Sequence, residues 1–204
     1  MKRITIHLAA ISIALLFSMC RDNQNETIQS KKNSELGTAS KDSKHVCQPP
    51  ISELDSAKHI SKTIQVIGDV EYPLSLTVDS LKKMKVATIQ NFKVVCESGA
   101  NRKVNVSCKG ILLKDILQKA QIKQQNHKDR NFYIVARATD NYKATFSWAE
   151  LFNNPTGENV YVLFEENGQP IQRQGDMILI CQNDIRTGPR HVYWLKSIEV
   201  NRVD

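Results

Sequence analysis

Thr187-Gly188-Pro189-Arg190-His191 runs directly into Val192-Tyr193-Trp194-Leu195-Lys196-Ser197-Ile198-Glu199-Val200, so a basic turn is joined to an alternating strand near the end of a 204-residue chain. Gly188 admits backbone angles closed to other residues, and Pro189 fixes its own φ and removes a donor. The turn can therefore bring Arg190 and main-chain groups close to an anion. Read alone, the stretch also describes a solvated hairpin with surface charges, because phosphate capture needs more converging groups than one turn supplies.

Working outward, Ile64 and Val66, then Tyr72, Leu74 and Leu76, alternate at period two across Gly68-Asp69, which predicts an opening hairpin. Thr77 starts a short helix through Leu81 and Met84, followed by strands over 86–96 and 103–108. Leu112, Leu113, Ile116, Leu117 and Ala120 have helical spacing and predict a helix over 112–120. Phe132, Ile134 and Ala136 alternate, residues 142–146 form a further strand, and Ser147-Trp148-Ala149-Glu150 has the form of a capping box. Strands over 159–166 and 177–181 flank the turn Glu166-Asn167-Gly168-Gln169-Pro170. Residues 61–204 thus read as one α+β domain, strand-rich with short helices on a mixed sheet, rather than a doubly wound fold. The chain has no Walker-type loop, dinucleotide glycine fingerprint, GxSxG elbow or HExxH helix, which removes several large enzyme classes.

Lys2 and Arg3 precede an apolar stretch from Ile4 to Met19, too short for a bilayer-spanning helix, so residues 1–19 read as a secretory signal. Cys20 follows at once, as in a bacterial lipoprotein whose thiol is lipidated, although Phe17 and Met19 depart from that pattern. Residues 20–60 carry Asn, Gln, Ser, Lys and Thr with few aliphatic side chains and read as a flexible tether. The formal charge of +7 becomes +5 when Lys2 and Arg3 leave, 26 basic against 21 acidic side chains. The tether over 20–60 is balanced, six basic against six acidic side chains, so the excess lies in residues 61–204. A net charge this small fits solubility or an anionic membrane surface as well as it fits nucleic acid, for which it is weak evidence. The expected location is the bacterial cell envelope, lipid-anchored on a periplasmic or surface face.

With Cys20 lipidated, Cys47, Cys96, Cys108 and Cys181 remain, and no CxxC or Cys/His spacing suggests zinc. A hairpin turning near residues 98–101 places Cys108 well over ~10 Å from Cys96 along the strand, so these two do not pair. Cys96 is expected to be a free thiol.

Three blocks, in this order, resemble the oxidoreductase molybdopterin-binding domain, the fold of sulfite oxidase. They are Cys96-Glu97-Ser98-Gly99 leading to Lys109-Gly110-Ile111-Leu112-Leu113-Lys114-Asp115-Ile116-Leu117; Asp140-Asn141-Tyr142; and Gly168-Gln169-Pro170 through to Val200. The resemblance implies that Cys96 occupies the position of a molybdenum-ligating thiolate, a soft donor suited to that metal. It also implies that Arg102 faces the pocket and that Asp140 and Tyr142 meet a pterin ring. Arg190 and His191 would hold the phosphate and pterin ends, with Arg173, Asp184 and Arg186 on neighbouring loops. Each has a plainer reading as well: a strand cysteine, a hairpin tip, a β-turn, an ion pair. Two segments of full-length sulfite oxidases are missing, which makes the chain similar to short exported members, some of which bind a metal-free pterin and report it to a partner.

Two functions follow as expectations. In one, an anchored domain holds a pterin-like ligand and senses it for a membrane signalling partner, with Cys96, Asp140 and the Arg190 turn as its walls. In the other, Cys96 ligates molybdenum in a molybdopterin oxidoreductase that works with a redox partner.

Overall fold

The computed structural model describes residues 58–96 and 98–203, and the side chains of residues 102–105 fall outside that description. The signal over 1–19, Cys20 and the tether as far as residue 57 lie outside the described residues. The strands are β1 (Ile64–Gly68), β2 (Leu74–Leu76), β3 (Ala87–Val95), β4 (Asn101–Leu112), β5 (Phe132–Ala138), β6 (Lys143–Ser147), β7 (Val160–Glu166), β8 (Gln169–Pro170), β9 (Ile178–Cys181) and β10 (Leu195–Arg202). The helices are α1 (Val78–Lys82), α2 (Leu113–Ala120) and α3 (Trp148–Phe152), with 3₁₀ turns at Pro155–Glu158 and Gly188–Arg190.

Two sheets form. One runs in the order β2-β1-β10-β5-β6; the other runs β3-β4-β7-β8, with β9 also paired to β7. β1 lies parallel to β10, and the other ladders are antiparallel. The sheet is therefore mixed, as the α+β reading expects.

The opening hairpin forms with Ile64 opposite Leu76, and Gly68 takes φ 95°. A Cβ on Gly68 would stand 2.0 Å from the Val200 carbonyl oxygen, so only glycine lets β1 leave its parallel neighbour here. α2 buries Leu113, Ile116, Leu117 and Ala120, the stripe its spacing predicts, in the main core with Ile134, Phe146 and Leu179. The predicted cap is made, with Ser147 and Glu150 bonding reciprocally, and Thr77, at the expected start of the first helix, accepts from the Ser80 N–H.

The last strand differs from its expectation. Alternation predicts a strand from Val192 onward, but β10 begins at Leu195. Val192 instead exchanges two backbone bonds with Leu179 in the second sheet. Trp194 then takes a left-handed backbone, φ 46°, and turns the chain into the first sheet. Its N–H donates to the Gln174 carbonyl and its own carbonyl accepts from the Thr139 N–H, so the corner is hydrogen-bonded on both sides.

Candidate functional site

Three turns, distant in sequence, meet at one edge of the domain. The first closes the β3–β4 hairpin, where the Gly99 N–H donates to the Cys96 carbonyl at 2.9 Å and Gly99 has φ 89°. The second links β5 to β6, where Asp140 Oδ1 accepts from the Tyr142 N–H at 2.9 Å. The third is the Gly188–Arg190 turn. The Val95 N–H donates to the buried Thr187 hydroxyl at 2.8 Å, and a Cβ on Gly188 would lie 3.2 Å from the Val95 carbonyl oxygen. Tyr142 Oη donates to the Pro189 carbonyl at 2.6 Å. The Cys96, Asp140 and Arg190 turns are thus tied together by direct bonds. The Arg186 guanidinium lies over Gly99, where a Cβ would approach Nη1 to 2.6 Å.

Arg190 is the most heavily bonded side chain of the group. A guanidinium has five N–H donors, and the structure gives this one five acceptors. Nε donates to Asp184 Oδ2 at 2.8 Å, and Nη2 donates to Asp184 Oδ1 at 2.5 Å and Cys181 Sγ at 3.6 Å. Nη1 donates to Glu150 Oε1 at 2.9 Å and the Thr145 carbonyl at 3.4 Å. The Phe146 ring lies beneath it, 4.5 Å from Cζ. Asp184 chiefly, and then Glu150, push the Arg190 pKa further up against the effect of burial. Burial raises the Glu150 carboxyl, but the Ser147 N–H and Arg190 outweigh it and hold the group below its usual value. Burial, helped by Asp184, pushes the Cys181 thiol up to about 11, so it stays protonated and donates to Asp184.

The family can be named on this geometry. Residues 50–204 match the model of the oxidoreductase molybdopterin binding domain. The chain belongs to that family. Among solved structures it is similar to the sulfane dehydrogenase SoxCD from Paracoccus pantotrophus, with 16% identity and a TM-score of 0.51 over 75% of this chain and 40% of that one. At that identity the likeness is one of fold, the sulfite-oxidase type, and this chain spans less than half the length of its neighbour. No curated protein matches the chain.

A domain of this family implies a small-molecule ligand, and the residues present can be tested against a molybdenum cofactor. Cys96 is 2% exposed and disulfide-bonded. The expectation of a free thiol is thereby corrected, and a sulfur already bonded to sulfur offers no thiolate to a metal. Cys108 is a buried thiol outside any disulfide, which agrees with its not pairing with Cys96. The expectation that Arg190 presents its charge to a ligand meets a guanidinium whose donors are all directed at protein atoms. The site therefore does not fit a molybdenum held through Cys96 with a phosphate on Arg190.

The other expected residues divide. Asp140 and Tyr142 are exposed on their turn, and Asp140 Oδ2 has no hydrogen-bond partner among the described residues, so that carboxylate edge is open to a ligand. His191 is buried, with its ring 4.3 Å from Tyr193 and edge-on to Phe92 at 6.4 Å. Asp184 belongs to the Arg190 cluster. The side chain of Arg102 is outside the described set.

Arg173 is not brought to the Arg190 cluster. It lines a hollow of about 490 Å³ with Glu166, Gln169 and Gln174, at the Glu166 end of β7. Cys181 pairs with Val160 at the opposite end of that strand, about 20 Å away at 3.3 Å per residue. Sequence reading missed Thr187, Cys181 and the second role of Glu150. The capping box was visible, but a cap is a local pattern, and nothing local says that the same carboxylate reaches a residue forty positions on.

Proposed function

We propose that this is an exported, lipid-anchored binding domain that holds a pterin-like ligand and reports it to a membrane partner. The observation that carries the reading is the meeting of the Cys96, Asp140 and Gly188–Arg190 turns, with Cys96 oxidised. Such a site keeps the architecture of the family without its metal-ligating thiolate. The open Asp140 edge suits the amino and ring N–H groups of a pterin, which a carboxylate accepts in pairs. Tyr142 beside it offers a ring face. The signal-like start and Cys20 support envelope attachment through lipid, with a tether that lets the domain reach a partner.

The test is native mass spectrometry with metal analysis of full-length protein purified from its own membranes. The expected result is a lipidated Cys20, a Cys96 disulfide, substoichiometric molybdenum, and pterin fluorescence in the denatured extract. Stoichiometric molybdenum that disappears in Cys96→Ser would overturn the reading in favour of the oxidoreductase.

A further inference from the structure

The saturation of Arg190 bears on which ligand the site takes, an inference that rests on the pterin reading above. We infer that the site selects a phosphate-free ring and rejects the same ring carrying a phosphate. A buried arginine recognises phosphate by turning two or more N–H groups toward it. All five here already point at Asp184, Glu150, Cys181 and Thr145. For a phosphate to reach Arg190, an Asp184 carboxylate that is 17% exposed must give up a bidentate contact.

Asp184 and Glu150 outweigh Arg190 by one negative charge, and Asp140 adds another on the adjacent turn. Arg186 is the cation of the third loop, but it is exposed and its guanidinium covers Gly99. It balances one of those charges and Lys143, just beyond Tyr142, balances the other, so the described charges around the turns nearly cancel and the saturation of Arg190 is what opposes a phosphate. A neutral ring with N–H donors can meet the exposed Asp140 carboxylate directly, whereas a phosphate that approaches Arg190 meets the Asp184 and Glu150 carboxylates already bonded to it.

Titration calorimetry of the full-length protein with dihydroneopterin and with dihydroneopterin triphosphate tests the inference. The unphosphorylated pterin is expected to bind at least about tenfold more tightly. Glu150→Gln keeps the capping geometry and removes one charge; it is expected to raise the affinity for the triphosphate about threefold or more and to leave dihydroneopterin unchanged. Equal or tighter binding of the triphosphate, lost in Arg190→Gln, overturns the inference while preserving a pterin site. Failure of both probes to bind removes the pterin reading, and the inference with it.

Discussion

Replacing Arg190 by glutamine separates a structural arginine from a ligand-facing one. Arg190 and Asp184 are 23% and 17% exposed, so most of their bidentate contact is shielded from solvent. Removing one partner from a buried pair costs about 3–5 kcal/mol, and residual exposure puts this pair at the lower end. The Glu150 bridge, with its carboxylate 38% exposed, adds about 0.5 kcal/mol at most. The lost Phe146 contact, at 4.5 Å, adds about 0.5–1 kcal/mol. Glutamine recovers part of this by donating to Asp184, which leaves a net destabilisation of about 3 kcal/mol. For a domain of this size that lowers Tm by roughly 6–12 °C. The assay is thermal unfolding followed by circular dichroism without ligand, with Arg186→Gln as the comparison. Arg186 is exposed, so its variant is expected within about 2 °C of the parent. If Arg190→Gln melts with the parent and Arg186→Gln does not, the assignment of Arg190 as the structural tie is refuted.

Further outcomes follow from the same geometry. Glu199, held low chiefly by its bonds from Arg137, and Glu150 both have folded pKa values below the ordinary 4.5. Their contribution to stability is complete above that value and is lost as pH falls through the lowered ones. Denaturant titrations should therefore be flat from neutrality to about pH 5 and fall below it, and Glu199→Gln should remove its share of the slope. Gly157→Ala puts a Cβ 1.8 Å from the Leu151 carbonyl oxygen, a backbone atom, and should cost more than about 2 kcal/mol in a urea midpoint measurement. Gly168→Ala meets nothing within 4 Å and pays only for its φ of 76°, about 1 kcal/mol. Cys108 and Cys181 are 1% and 0% exposed. Neither should react with iodoacetamide at neutral pH until the protein is denatured; peptide mapping that finds Cys181 alkylated in the native state would contradict its burial.

Elements with a local cause were legible in the sequence. Ile64, Val66, Leu74 and Leu76 bury one face because strand side chains alternate, and Ser147 caps α3 because Glu150 stands three residues on. The convergence of the three turns was foreseen through family resemblance, and the bonds of Thr187 and Tyr142 supply its physical form. Charges were harder to read. Arg190 looks available in sequence because its partners Asp184 and Glu150 come from two other segments, and neighbouring residues do not reveal that all five donors are occupied. Trp194 hid in a similar way: it sits inside an alternating run, so the left-handed corner that ends the alternation leaves no mark in hydropathy.

That corner has a mechanical consequence. β10 is the middle strand of its sheet, and only Trp194, 4% exposed and bonded on both sides, stands between the His191–Tyr193 segment and the start of that strand. A load applied at the turn is borne by an interior member with neighbours on each flank, and such a member resists displacement. The rim in front of that frame is the part open to solvent, where Ile185 stands 89% exposed and Tyr142 44%.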